Sequence, residues 1–313
     1  MLYTSCVMTG NYIKQLKQIL SEKSFTQQEL AKRLGVSFAS LNRWLNGHAY
    51  PHKKRVDQIS RLHREILGYA SITKEDIRRV VSEAGMYRNR KIWKGITDSQ
   101  ALQDDLVLEH TYNSTTIEGT TFTKKEAEAV IFDKLTIKDK SLTEHLDVVN
   151  YSFILRKIFR NEFSQNITEA VIKDIHGLLM QGVREDGGEY SQNQRGIRGV
   201  DIMLTHPKDI GEEMNQLMRV WNSKKHKNIQ DIAKFHSDFE LIHPFGDGNG
   251  RVGRLIMVLQ CQNKNYAPVI IENKRKAEYY EVLEFSQRKN ENPFVQFLVE
   301  EMRRTFKIIN KYM

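Results

Sequence analysis

The chain has few of the residues that mark secreted or membrane-spanning proteins. Only two cysteines, Cys6 and Cys261, occur among its 313 residues, so neither a disulfide scaffold nor a cysteine-based metal site is expected. No apolar run approaches the roughly 18 residues of a membrane span, and the first residues lack the basic start and apolar stretch of a secretion signal. There are only five prolines and few β-branched runs. We therefore expect a mainly α-helical, cytoplasmic protein that does not enter a membrane.

Positive charge is concentrated in the first third of the chain. Residues 1–100 contain 18 Lys and Arg against 8 Asp and Glu, a net charge of +10, whereas the whole chain carries +9. The remainder is therefore close to neutral. A local excess of this size favours an anionic partner for the N-terminal part.

The segment 243–254, HPFGDGNGRVGR, combines several reactive residue types. Its alternating glycines permit positive φ angles, so the backbone can turn its amides toward an anion. Apolar residues after Arg251 predict a buried helix whose first amides face the same anion. Arg251 and Arg254 are three residues apart on that helix, where two guanidinium groups can clamp a polyphosphate. His243 can accept a hydroxyl proton, and Asp247 can bind Mg²⁺.

This segment resembles the signature of the Fic (Fido) family, whose best-known members transfer AMP from ATP to protein hydroxyls. The resemblance implies a Fic-type helical bundle, ATP as the substrate, Mg²⁺ held by Asp247, and His243 as the catalytic base. It also implies ATP binding by a larger set of residues: Asp247, Gly248, Asn249, Gly250, Arg251, Val252, Gly253 and Arg254, with Tyr279, Tyr280 and Gln287 further along the chain. Tyrosines on a helix are more often core residues, and this alternative stays open for Tyr279 and Tyr280.

Residues 114–119, STTIEG, resemble an inhibitory motif that some Fic proteins carry before the catalytic domain. A helix is predicted over 104–117, with Gly119 as its end. Glu118 then lies at a helix C-terminus, where the helix dipole disfavours a carboxylate and a cationic partner would stabilise it. The resemblance implies that Arg254 is this partner and that Ser114 and Glu118 hold the enzyme inactive. The alternative is an ordinary solvated glutamate.

Residues 198–210 are rich in β-branched and apolar types, which predicts a short hairpin or extended edge before a helix over 211–222. The resemblance implies a small β-hairpin flap that aligns the target protein through Gly199, Val200, Asp201 and Ile202. An exposed strand edge can pair with an extended peptide by main-chain hydrogen bonds. A plain surface hairpin is the alternative.

Residues 25–47 predict two short helices joined at Gly35. Thr26 and Glu29 form a capping box, Gly35 ends the first helix, and Ser37 can cap the second. This segment resembles the helix-turn-helix of repressor-like regulators. The resemblance implies binding of double-stranded DNA through outward residues of the second helix: Phe38, Asn42, Arg43 and Asn46. A helical bundle whose basic face is solvated or binds protein remains the alternative.

These features predict a helix-turn-helix module over 1–70, a helical connector with the inhibitory motif over 71–165, and a Fic catalytic domain over 166–313. The leading hypothesis is a protein adenylyltransferase that modifies a Ser, Thr or Tyr of an unidentified target protein or of itself, releases pyrophosphate, and is inhibited by Glu118. Two alternatives stay open: a transcriptional regulator that senses ATP, and an enzyme that removes AMP from its targets. A second copy of the chain is a further candidate partner.

Overall fold

The computed structural model describes residues 3–22, 25–68, 72, 74–193, 203–225, 227–288 and 290–313. Over these residues the chain is helical, and β pairing is limited to one antiparallel bridge between Arg88 and Tyr266. The fifteen α-helices are α1 Tyr3–Glu22, α2 Gln27–Leu34, α3 Phe38–Leu45, α4 Lys53–Leu67, α5 Lys74–Ala84, α6 Arg90–Asp98, α7 Gln100–Ile117, α8 Lys124–Glu128, α9 Leu142–Phe159, α10 Glu169–Leu179, α11 Ile210–Ser223, α12 Ile229–Ile242, α13 Asn249–Asn263, α14 Lys276–Gln287 and α15 Asn292–Ile309. None of the described helices is both long and apolar enough to cross a membrane.

The chain divides into two compact units, residues 1–72 and 73–313. In the first unit, α1 packs on α4, and α2 packs on α3. The apolar residues of α2 and α3 that share the inner faces of these helices are buried, namely Leu30, Leu34, Leu41, Trp44 and Leu45. Helix α1 was not predicted, although its buried residues Tyr12, Leu16 and Ile19 have helical spacing.

Local signals between α2 and α3 act as predicted. Thr26 and Glu29 form a reciprocal capping box, and Gly35 ends α2 in the left-handed conformation with φ +62°. The Ser37 side chain accepts a hydrogen bond from the Ser40 backbone N–H and so caps α3. These caps define where α2 ends and where α3 begins, and the outer face of α3 is exposed.

The second unit is built around α13. Helices α7, α9, α10 and α12 pack against it, and α13 is buried from Arg251 to Gln262. Helices α7 and α9, from the predicted connector, thus share a core with the predicted catalytic segment.

Two helix starts differ from the sequence prediction. Helix α7 begins at Gln100 rather than at residue 104, because the Ser99 side chain accepts a hydrogen bond from the Leu102 N–H. Helix α13 begins at Asn249, two residues earlier than predicted.

The predicted hairpin is only partly covered by the described residues. Gly199, Val200, Asp201 and Ile202 lie outside them. The prediction of a hairpin or extended edge up to residue 210 was wrong at its end, because Pro207–Asp209 form a 3₁₀ turn that leads directly into α11. Proline fixes φ near the helical value and favours the first position of such a turn.

Candidate active site

The motif loop joins two buried helices, α12 and α13. His243 directly follows α12 in the left-handed conformation with φ +53° and is half-buried. Its Nδ1 lies 3.3 Å from the Glu240 carbonyl oxygen. The imidazole predicted to act as the base therefore stands at a helix end beside the loop.

Asn249 fixes the shape of the loop. The Phe245 N–H donates to Asn249 Oδ1 at 2.8 Å, and Asn249 Nδ2 donates back to the Phe245 carbonyl at 2.8 Å. The Gly248 N–H donates to Asp247 Oδ1 at 2.7 Å. Asn249 is 2% exposed, so the described contacts of its side chain shape the loop, and its role as an ATP ligand stays a prediction.

His176, which no sequence motif indicates, supports the loop from α10. Its ring stacks on Phe245 with centroids 3.7 Å apart. The Gly188 N–H donates to His176 Nδ1 at 2.8 Å, so Nε2 carries the proton and donates to the Asp247 carbonyl at 3.2 Å. Burial lowers the pKa of His176 to about 4, so the ring is neutral near pH 7 and acts as a support.

The first turn of α13 lies beside the Glu118 carboxylate, which a Cβ on Gly250 would overlap. Gly248 is the N-cap residue of α13, and among the described residues no side chain caps this end of the helix. Gly248 has φ +77°, and a Cβ there would lie 2.5 Å from Met180 Cε. The backbone amides of an uncapped, buried helix start can bind phosphate oxygens.

Arg254 is the most strongly engaged residue of the site. It is 2% exposed. Its Nε donates to Ser114 Oγ at 2.7 Å, and its Nη2 donates to the Ser114 carbonyl at 3.0 Å and to Glu118 Oε1 at 2.5 Å. Burial alone would lower the pKa of Arg254, but Glu118 and nearby tyrosines raise it above the usual value. Ser114, Glu118 and Arg254 are therefore in direct contact, as the resemblance to the inhibitory motif implies.

Arg251, by contrast, is held by two aspartates. It donates to Asp147 on α9 and, at 3.2 Å, to Asp247 Oδ2. The Asp247 side chain is 54% exposed. Among the described residues, no three His, Cys, Asp or Glu side chains could together hold a metal ion. A single exposed carboxylate nevertheless fits Mg²⁺, which takes few protein ligands beside substrate phosphates and water.

A layer of buried polar groups lies behind Arg254. The His236 Nε2 and the Tyr279 hydroxyl are 2.8 Å apart, and Glu240 is 6% exposed. Burial raises the pKa of Glu240 to about 8, although Arg254 opposes this shift, and burial lowers the pKa of His236 to about 3. A Cβ on Gly253 would lie 2.8 Å from Glu240 Oε1, so only glycine fits between α13 and this layer.

The remaining predicted nucleotide ligands differ in position. Val252 is fully buried and Tyr279 is 1% exposed, so Tyr279 is a core residue in this conformation. Tyr280 is 37% exposed, and its ring centroid lies 5.1 Å from that of Tyr279. Gln287 is half-buried at the end of α14. Of this group, Tyr280 presents the most accessible surface.

The predicted DNA-contact residues lie on α3 of the first unit. Phe38 is 49% exposed, Arg43 and Asn46 are exposed, and Asn42 is half-buried. The Asn46 side chain donates to the Asn42 backbone oxygen and to Asn42 Oδ1, each at 2.9 Å. These amides are therefore linked to each other on the outer face of the helix.

Sequence comparison finds two different domain families in the two parts of the chain. A sequence profile of the Fic/DOC family matches residues 166–261, and a helix-turn-helix profile matches residues 16–64. The protein adenylyltransferase Fic of Aedes aegypti is 28% identical over 209 residues, which are 65% of this chain and 42% of that protein. The protein of the same name from Drosophila erecta is 30% identical over 199 residues, or 61% of this chain and 39% of that protein. The chain thus spans about two fifths of the length of these relatives.

Solved structures share the fold. A Fic family protein from Desulfovibrio desulfuricans superposes with a TM-score of 0.63 at 25% identity, covering 75% of this chain and 74% of that one. Residues 134–508 of Fic-1 from C. elegans superpose with a TM-score of 0.61 at 18% identity, covering 91% of this chain and 84% of that one.

Proposed function

Because the chain carries a Fic/DOC domain and an N-terminal helix-turn-helix domain, we propose that it is an Mg²⁺-dependent protein adenylyltransferase held inactive by Glu118. A target hydroxyl attacks the α-phosphorus of ATP, the new O–P bond replaces the bond to pyrophosphate, and AMP stays on the protein. His243 takes the hydroxyl proton. Mg²⁺, bound at Asp247, would neutralise phosphate charge.

The proposed role of each residue follows from its place in the site. The uncapped start of α13 offers amides to the phosphates. Arg251 lies on the same turn, beside Asp247. Because both charged groups and amides are already oriented before the substrate binds, they stabilise transition-state charge without reorganisation.

The observation that supports inhibition most directly is the contact between Glu118 and Arg254. Arg254 already donates three of its five N–H groups, one of them to a carboxylate, so its charge is paired before a phosphate arrives. We infer that Glu118 competes with the γ-phosphate for Arg254, so that ATP binds without reaching the reactive arrangement. A charged hydrogen bond contributes about 1.5–3 kcal/mol, which corresponds to a rate increase of roughly tenfold to a hundredfold when it is removed.

The test uses the full-length protein with Mg²⁺ and ATP labelled at the α-phosphate, with a lysate or itself as the acceptor. Glu118→Ala should increase AMP incorporation at least about tenfold, and His243→Ala in the same background should abolish it. Glu109→Ala is the matched control, because Glu109 lies on α7, the helix that ends just before Glu118, and pairs with Lys124 rather than with Arg254.

The outcomes separate the alternatives. An ATP-sensing regulator would bind ATP yet transfer no label in any variant. An enzyme that removes AMP would release it from a labelled target with Glu118 present and lose that activity in Glu118→Ala. Equal labelling by the wild type and Glu118→Ala would refute the inhibition.

We also propose that the helix-turn-helix domain binds double-stranded DNA through Phe38, Asn42, Arg43 and Asn46. The exposed face of α3 and the excess of positive charge in residues 1–100 support this proposal.

A further inference from the structure

Arg251 has one buried donor that no protein group satisfies. Its side chain is 5% exposed, its Nη1 donates to Asp147, and its Nη2 donates to Asp247. Its Nε is buried and has no hydrogen-bond partner among the described residues. A buried guanidinium N–H without an acceptor is costly, so this donor points to a ligand that supplies one.

Asp147 reaches Arg251 from another part of the chain. It lies on α9, 104 residues before Arg251 and outside the segment that the Fic/DOC profile matches. Its side chain is 13% exposed. Burial raises the pKa of Asp147, while the positive charge of Arg251 opposes that shift. A carboxylate that is costly to bury is thus placed against the guanidinium group.

The two aspartates differ in how firmly they are held. Asp247 is in the motif loop, with 54% of its side chain exposed, and it is the candidate Mg²⁺ ligand. A carboxylate that turns to a metal ion can no longer accept fully from Arg251. Asp147 is in the second turn of an 18-residue helix that packs on α13, so it can keep its bond while the loop changes.

We propose that Asp147 is a positioning residue for ATP: it fixes the Arg251 guanidinium so that the unpartnered Nε–H meets a phosphate oxygen. This inference rests on the proposed function, because it assigns a role in the same site. It differs from the Glu118 contact, since Asp147 binds Arg251 rather than Arg254 and is predicted to support binding instead of opposing it.

Two other roles for Asp147 predict different results. If it only ties α9 to α13, its loss lowers thermal stability without changing ATP affinity. If it competes with phosphate for Arg251, its loss tightens ATP binding. A positioning role predicts weaker ATP binding, and only when Arg251 is present.

The test measures the dissociation constant for MgATP by calorimetry, and kcat and KM for AMP transfer, in full-length protein carrying Glu118→Ala. Asp147→Ala should weaken binding about tenfold, the order expected for one charged hydrogen bond. Asp147→Asn should have a smaller effect, because its amide oxygen can still accept. Asp147→Ala combined with Arg251→Ala should bind no more weakly than Arg251→Ala alone.

Asp104→Ala is the matched control, because Asp104 makes a comparable ion pair with Arg156 between α7 and α9, at 2.7 Å. It should leave MgATP binding unchanged. Unchanged or tighter binding in Asp147→Ala, or an additive loss in the double variant, would overturn the proposal. If the Glu118→Ala parent binds MgATP but transfers no AMP, the proposed function fails while the binding series still tests Asp147.

Discussion

Replacing Glu118 by alanine should make the 73–313 unit less stable without nucleotide and more responsive to MgATP. Arg254 is 2% exposed, and Glu118 supplies the one carboxyl group among its three acceptors, the other two being the hydroxyl and the carbonyl oxygen of Ser114. Removing one partner of a buried ion pair costs about 3–5 kcal/mol. The Glu118 side chain is 29% exposed and Ser114 remains, so water can replace part of the interaction. We therefore expect a loss of about 1–2 kcal/mol.

The loss of stability should be visible in scanning calorimetry of the full-length protein. For a unit of this size, 1 kcal/mol shifts Tm by about 2–4 °C, so Glu118→Ala should lower it by about 2–8 °C. Since the chain has two compact units, the relevant transition is the one that MgATP shifts.

MgATP should stabilise Glu118→Ala more than it stabilises the wild type. A ligand at a hundred times its Kd adds about 2.7 kcal/mol to stability. In the wild type, ATP either binds without Arg254 or must break the contact between Arg254 and Glu118, whereas in the variant Arg254 is free to bind the phosphate. The stability gained from the nucleotide should therefore be larger in Glu118→Ala by about the same 1–2 kcal/mol, and its rise in Tm should be larger accordingly.

Two results would refute this reasoning. Equal MgATP shifts in the wild type and Glu118→Ala would mean that Glu118 does not compete with the nucleotide. An unchanged Tm without nucleotide would mean that the pair contributes no net stability. Glu109→Ala again serves as the control for loss of a glutamate from α7.

Three further predictions concern single positions. Gly250→Ala should lower Tm in the wild type but much less in Glu118→Ala, because the added Cβ would overlap the Glu118 carboxylate; equal losses in both backgrounds would contradict this. The pKa of Glu240 is raised to about 8 by burial, so its stabilising contribution is greatest below its unfolded pKa near 4.5 and is lost as the pH rises toward about 8. Glu240→Gln should therefore gain stability relative to the wild type across that range in calorimetry at several pH values, and a difference independent of pH would refute it. Arg43→Ala should weaken DNA binding by about 1–3 kcal/mol if it contacts a base, or reduce the salt slope by about one if it contacts a phosphate; unchanged affinity in a salt titration would remove it from the interface.

Predictions from the sequence succeed here where the determining residues are close together in the chain. The capping box of Thr26 and Glu29, the left-handed Gly35 and the helix after the motif loop each depend on neighbours within a few residues. The Glu118–Arg254 contact spans 136 residues and was predictable only because a family resemblance linked the two motifs.

Other parts of the site depend on packing that no local pattern encodes. Asp147 is a charged residue near the start of α9 with no sequence signal of burial, yet its side chain is only 13% exposed and lies against Arg251. Tyr279 could be either a ligand contact or a core residue by sequence, and its burial against His236 follows from how α14 meets α12. A sequence pattern can predict the helix, but the tertiary contacts of each residue decide whether it is buried and what it binds.

The end of α7 shows why a polar sequence can still be buried. His110, Thr111, Asn113, Ser114 and Thr115 are all at most 7% exposed, although a Thr- and Ser-rich helix end normally predicts a solvated surface. Some of the hydroxyls are satisfied within the helix, since Thr115 Oγ1 donates to the Thr111 carbonyl at 2.9 Å. Ser114 instead accepts from Arg254, which is itself buried. A buried guanidinium needs acceptors and a buried hydroxyl needs a partner, so these two residues stabilise each other's burial and place Glu118, one helical turn further on, beside the same arginine.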